Sequence, residues 1–225
     1  LYHYFSEPIG KLAERYKTTT GEMKVRLKRH YDGYHFSDEL TDIYNPFSIL
    51  NASKSCTIAD YWFKTGTPTY LIRLLTHTQE NLNELTGKYY DPSQFIDYKA
   101  DVEKPLPMIY QSGYLTIKDC DMEMGTFLLD FPNNEVKKGF VTLVANNYLQ
   151  SAKDSGGWAR DMVGALKTGD LELFRKLLTS FLADIPYSMR RKETERERER
   201  YFHYTFYLLM RMESCYTDYT EKQQR

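Results

Sequence analysis

A chain of 225 residues, 41% hydrophobic and 15% aromatic, is long enough for one sizeable core or two small domains and too apolar to be a disordered segment. Its formal net charge of -1 supplies no global pull towards nucleic acid or an anionic membrane, so either partner would need a local basic patch. No apolar run is long enough for a membrane span, and Cys56, Cys120 and Cys215 are too scattered for a disulfide framework or a cysteine metal site, which fits reduced thiols in the cytoplasm.

The first predicted element is a short helix, since Pro8 suits a first turn and Ile9, Leu12, Ala13 and Tyr16 recur at helical spacing. Thr19 and Glu22 then have capping-box spacing and launch a second helix. Met23, Leu27, His30 and Tyr31 form its inner face, with Lys24, Arg26, Lys28 and Arg29 towards solvent. Asp32-Gly33 and Asn45-Pro46 read as corners, because Asp bonds its own backbone, Gly admits positive φ and Pro46 holds Asn45 extended. The aromatics beside them, Tyr31, Tyr34, Phe36, Tyr44 and Phe47, are expected to bury these corners against helices. A base-stacking platform would need interleaved cations, and only His35 lies close. A short helix is expected from Phe47 to Ala52, and another from Pro68, capped by Thr67, with Leu71, Leu74 and Leu75 inward.

Residues 76–104 are polar, broken by Gly87 and Asp91-Pro92, and read as a connector with a boundary near residue 100. A helical turn from Pro105 to Gln111 precedes two strand-like runs, Tyr114 to Ile117 and Thr126 to Phe131, joined by a polar loop from Lys118 to Met124. Pro132-Asn133 then caps a helix carrying Val136, Phe140, Leu143, Val144 and Tyr148 on one face. Helix, hairpin and helix make a winged-helix-like layout. Ser155-Gly156-Gly157 reads as a break before a helix around Ala159 to Leu166, and Gly169-Asp170 as a stop and a new cap. Phe174, Leu177, Leu178, Phe181, Leu182 and Ile185 then form the clearest apolar stripe of the chain, ended by Pro186. A long helix is predicted from Glu193 to Met212, its Glu/Arg run exposed and its second half, with Tyr201, Phe202, Tyr204, Phe206, Leu208 and Leu209, buried on most sides. The fold class is therefore mainly α with a small β-hairpin: a helical lid-like region, a winged-helix-like module and a helical C-terminal segment.

Three segments in order, Tyr31-Asp32-Gly33-Tyr34, Tyr44-Asn45-Pro46-Phe47-Ser48 and Tyr61-Trp62-Phe63 with Thr65-Gly66-Thr67-Pro68, resemble landmarks of bacterial AAA-ATPase-like proteins. Those chains usually carry a PD-(D/E)XK nuclease-like domain at the C-terminus. Tyr110 to Ile117 and Phe131 to Val136 resemble the family's middle section. The resemblance implies that residues 1–95 are the helical region after the P-loop, 96–190 the winged-helix-like connector, and 191–225 the opening of the nuclease-like domain. It also implies that the chain, which opens on Leu1, starts inside a longer reading frame, and that ATP and Mg belong to the parent protein while this fragment holds no cofactor.

The chemistry agrees with a fragment that is inactive by itself. A P-loop needs G-x-x-x-x-G-K-[ST] so that backbone N–H groups close around phosphate, and neither Gly10-Lys11 nor Gly87-Lys88 has that context. Glu199, in Glu199-Arg200-Tyr201-Phe202-His203, resembles the acidic position of the first nuclease helix, but the other carboxylates and the lysine of that site should follow on later strands, so the set is incomplete. The i, i+3 pairing of Glu193, Glu195 and Glu197 with Arg196, Arg198 and Arg200 also reads as an ordinary salt-bridged helix face. His3, His30, His35, His77 and His203 have no metal-ligand spacing. Two further readings concern partners. Lys118, Lys137 and Lys138 around the hairpin would contact phosphates if the module bound nucleic acid, although Asp119, Asp121 and Glu123 crowd the same loop. The Phe174 to Ile185 face would instead serve a protein-interaction scaffold.

Overall fold

The computed structural model describes residues 4–65, 85–96, 105–149, 155–184 and 195–212. Among them the chain is mainly helical with one small antiparallel sheet. The elements are α1 (Ser6–Arg15), α2 (Thr20–Tyr31), α3 (Pro46–Ser55), β1 (Lys88–Tyr90), α4 (Leu106–Gln111), β2 (Thr116–Asp121), β3 (Thr126–Asp130), α5 (Asn134–Leu149), α6 (Ser155–Thr168), α7 (Leu171–Asp184) and α8 (Glu195–Met212). No helix among the described residues is long and apolar enough to cross a membrane. The chain divides into two compact units, Leu1–Gly139 and Phe140–Arg225.

The first unit grows from α1, α2 and α3. Ile9, Leu12 and Ala13 of α1, Met23, Leu27 and Tyr31 of α2, and Ile49 and Ala52 of α3 form one buried cluster. Deleting a side chain such as Leu27 down to Ala would cost about 2–5 kcal/mol through lost burial and the cavity left behind. Both α2 and α3 start at a side-chain cap. The Thr19 hydroxyl accepts from the Glu22 N–H at 3.2 Å while the Glu22 carboxylate accepts from the Thr19 N–H at 3.0 Å, closing the predicted capping box. Hydrogen bonds from the Thr18 hydroxyl and from Thr19 hold the Glu22 carboxyl down at about 2. Asn45 caps α3 by accepting from the Ser48 N–H at 3.2 Å, and Pro46 follows in the first turn. Tyr31 and Tyr34 are buried as expected, but Phe36 and Phe47 are exposed. In the first turn of α3 it is Ser48 and Ile49 that face the core, which turns Phe47 outward.

The sheet has order β1-β3-β2, so the predicted hairpin gains a third strand. β1 pairs with β3 through Lys88↔Leu129 and Tyr90↔Phe127, inside the stretch that reads as a polar connector. Gly87, at φ 69°, turns the chain into that strand, and its N–H bonds the Leu129 carbonyl at 2.8 Å. β2 also runs further than its apolar residues suggest, through Asp121. Its register slips between Ile117 and Asp119, which leaves Lys118 as the extra residue of a β-bulge. Beneath the sheet, Phe95 meets Tyr110 edge-on at 4.7 Å and Phe127 at 6.1 Å.

In the second unit α6 contacts both α7 and α8. Met162, Val163 and Ala165 of α6, Phe181 of α7, and Tyr204, Tyr207, Leu208 and Met210 of α8 are buried, and Trp158 meets Phe181 at 5.9 Å. Gly156 and Gly157 belong to the first turn of α6 instead of breaking the chain. Gly169 and Asp170 act as predicted, Gly169 at φ 73° and the Asp170 carboxylate accepting from the Leu173 N–H at 2.9 Å. The α7 stripe is half-buried at Phe174, Leu177, Leu178 and Leu182 and fully buried at Phe181. On α8, Tyr204, Tyr207, Leu208 and Met210 are buried, while Phe202 and Phe206 are exposed. The helix predicted from Pro68 and the end of the α7 stripe at Ile185-Pro186 lie outside the described residues.

Candidate functional site

The corners that stand apart in sequence meet in the first unit and are joined by polar side chains. Gly33, at φ 91°, is one pole of this arrangement. A Cβ on Gly33 would stand 2.5 Å from the Pro132 carbonyl oxygen, so only glycine lets the two corners approach this closely. Lys118 holds them together: its ammonium donates to the Gly33 carbonyl and to the Pro132 carbonyl, each at 2.8 Å. The bulge re-aims this lysine from the strand into the corner. Partial burial pulls its pKa down, against the opposing pull of the Asp130, Asp42 and Asp32 carboxylates.

His35 joins the same corner to the sheet. Its N–H donates to the Thr116 hydroxyl and that hydroxyl donates back to the His35 carbonyl, both at 2.7 Å. The ring is held at both ends, Nδ1 by the Ile117 carbonyl and Nε2 by Asp42 Oδ1, each at 2.8 Å. Both partners are acceptors, so the imidazolium satisfies both nitrogens and a neutral tautomer satisfies one. Asp42 also receives Lys28 Nζ at 2.6 Å, and the hydrogen bonds from Lys28 and then His35 hold its carboxyl below the usual range.

A second pole is Glu135, fully buried in the first turn of α5. One carboxyl oxygen accepts from the Trp62 N–H at 2.8 Å, and the other has no hydrogen-bond partner. Burial pushes the Glu135 pKa up, while the nearby Ser48 hydroxyl and the Trp62 N–H pull it down. Asn133 caps the same helix by accepting from the Val136 N–H at 3.1 Å. The Tyr31 phenol bridges the backbone of Ala59, donating to its carbonyl at 2.8 Å and accepting from its N–H at 2.9 Å. Burial raises the pKa of Tyr31, and raises those of Tyr34 and Tyr114 to about 12, which keeps these phenols neutral. Trp62 packs on Tyr114 at 5.3 Å, and the Phe63 ring lies so close over Gly139 that a Cβ there would come within 2.4 Å.

Between the corners runs a cleft of about 400 Å³ lined in part by Lys28, Asp32, Asp42, Lys118, Asn133 and Lys137. Its charges are largely committed, Lys28 to Asp42 and Lys118 to two carbonyls. Of the residues singled out in sequence, Lys118 and Lys137 line this cleft, Lys137 half-buried, and Lys138 is exposed on α5. Glu199 is exposed on α8 in the other unit. Among the described residues, no group of three or more His, Cys, Asp or Glu is arranged to hold a metal ion. Glu135 and Thr116 escaped sequence reasoning as joining residues. An acid in a helix first turn and a threonine in a strand are ordinary there, and only the tertiary fold buries them.

The chain is similar to a protein of Azotobacter chroococcum mcd 1 described as an uncharacterized protein in the vnfD 5' region, with 27% identity over 183 residues. The match covers 80% of this chain and 35% of the relative, so the chain spans about a third of that protein's length. No protein-family model matches the chain. No solved structure matches it.

Proposed function

We propose that this chain is a non-catalytic lid or connector region of a longer, ATP-binding AAA-ATPase-like protein that carries a nuclease-like domain. The observation that carries this reading is the use of the landmark residues. Tyr31, Gly33, Asn45, Trp62 and Glu135 all serve to cap a helix, bond a backbone group or admit a close approach between corners. A segment whose distinctive residues are committed in this way is suited to transmit position between neighbouring parts of a larger protein. Similarity to one third of a longer relative is in keeping with it. ATP and Mg would be held by the parent protein, and the free thiols Cys56 and Cys120 suit a reducing cytoplasm.

The test is turnover by the purified 225-residue chain. With MgATP, and separately with plasmid DNA and Mg or Mn, no hydrolysis above the buffer blank is expected. ATP hydrolysis or DNA cleavage that co-purifies with the chain and is lost on a point substitution within it would overturn the reading.

A further inference from the structure

The turn joining β2 to β3 gathers soft sulfur donors. Its sequence is Asp119-Cys120-Asp121-Met122-Glu123-Met124-Gly125, with sulfur at every second residue. Met122 and Met124 are 75% and 74% exposed, so neither side chain contributes appreciably to a core. The Cys120 sulfur nevertheless stands 3.4 Å from the Met122 sulfur. Two sulfurs sharing one ion through bonds of ~2.3 Å must lie within ~4.6 Å of each other, and this pair already does. The backbone beneath them is ordered, because Asp121 Oδ1 accepts from the N–H groups of both Glu123 and Met124 at 3.0 Å. Met124 is therefore rooted on the same fixed turn as Met122.

We propose that this turn is a binding site for a monovalent copper ion, with the Cys120 thiolate and the Met122 and Met124 thioethers as its sulfur ligands. Thiolate and thioether sulfur is the donor set that selects this soft ion over zinc, magnesium or calcium. The Asp38, Asp119 and Asp121 carboxylates act on the Cys120 sulfur together and supply a negative field that draws a cation to it. Binding forms the copper–sulfur bonds, breaks the S–H bond and releases that proton to solvent, with copper staying monovalent throughout.

The site is tested by competing the reduced 225-residue chain against a chromophoric copper(I) chelator. One copper(I) ion per chain is expected. Cys120→Ser should abolish binding, and the pair Met122→Leu with Met124→Leu should weaken it at least about tenfold, since even the outer partners of metal ligands carry that much affinity. Cys56→Ser and Cys215→Ser should leave binding unchanged, and zinc in equal amount should not displace the copper. The double methionine variant should keep the parent's melting temperature, because both replaced side chains are at the surface. Absent binding, binding indifferent to the double methionine change, or loss of binding with Cys56→Ser or Cys215→Ser would each overturn the site.

Discussion

The two units are held by different means. In the first, corners far apart in sequence are fastened by side chains that reach backbone groups: Lys118 to Gly33, Thr116 to His35, Glu135 to Trp62 and Tyr31 to Ala59. In the second, helices meet through apolar faces centred on Met162, Phe181 and Leu208, and polar bonds such as Asp170 to Leu173 stay within one turn. An apolar stripe accepts many sequences of similar volume, whereas a side chain committed to a buried carbonyl or N–H accepts few. This difference accounts for the first unit having landmarks that stand out in sequence.

The contrast can be broken with one substitution made in each unit, and this carries the largest expected effect. Gly33→Ala places a Cβ 2.5 Å from the Pro132 carbonyl at a positive φ and should destabilise the first unit by about 3 kcal/mol. Gly164→Ala, in α6 with nothing within 4 Å of the added Cβ, should stabilise the second by about 0.5–1 kcal/mol. The chain's two tryptophans separate the readouts. Urea unfolding of a Trp158→Phe background reports the first unit through Trp62, and a Trp62→Phe background reports the second through Trp158.

Next in size is Lys118→Met, which keeps the stem but leaves two carbonyls without their donor and should cost about 1–3 kcal/mol in the Trp62 transition. Glu135→Ala should cost a similar amount, about 1–3 kcal/mol, because the Trp62 N–H loses its acceptor. Glu135→Gln keeps an acceptor and removes the ionisable group. Since the folded pKa of Glu135 is raised, its contribution to stability is complete below the usual glutamate range and is lost as pH rises through the raised value. A pH series of urea midpoints should show that loss in the parent and not in Glu135→Gln.

The smallest effect belongs to the partly exposed pair of Lys28 and Asp42. Asp42→Asn should cost no more than about 1 kcal/mol. The Asp42 pKa is depressed, so this contribution is present above the usual aspartate range and is lost as pH falls through the folded value, the opposite direction to Glu135. Unfolding midpoints at acidic and neutral pH check the sign.

What sequence reasoning read correctly is local. Thr19, Asn133 and Asp170 announce helix starts because a cap acts within three residues, and the amphipathic spacing of Met23 and Leu27 needs no knowledge of the partner helix. What it missed depends on distant pairing. Lys88-Tyr89-Tyr90 becomes a strand only because β3 offers its free edge. Lys118 reads as a solvent-facing loop cation until the bulge turns it inward, and nothing in Asn133-Asn134-Glu135 marks the glutamate as buried. Phe36 and Phe47 show the same limit from the other side, since aromatic character predicts burial, yet both are exposed, Phe47 because the first turn of α3 faces it outward.

The central claim is that the landmark residues lock the first unit through side chain to backbone bonds, and native-state hydrogen exchange of single amides tests it most directly. His35 and Trp62 lie outside regular helix and strand, yet their N–H groups are bonded to the Thr116 hydroxyl and the Glu135 carboxylate. Both amides should exchange as slowly as that of Leu27 in the buried face of α2, through unfolding of the whole unit. Exchange of either at the rate of an exposed loop amide would contradict the account.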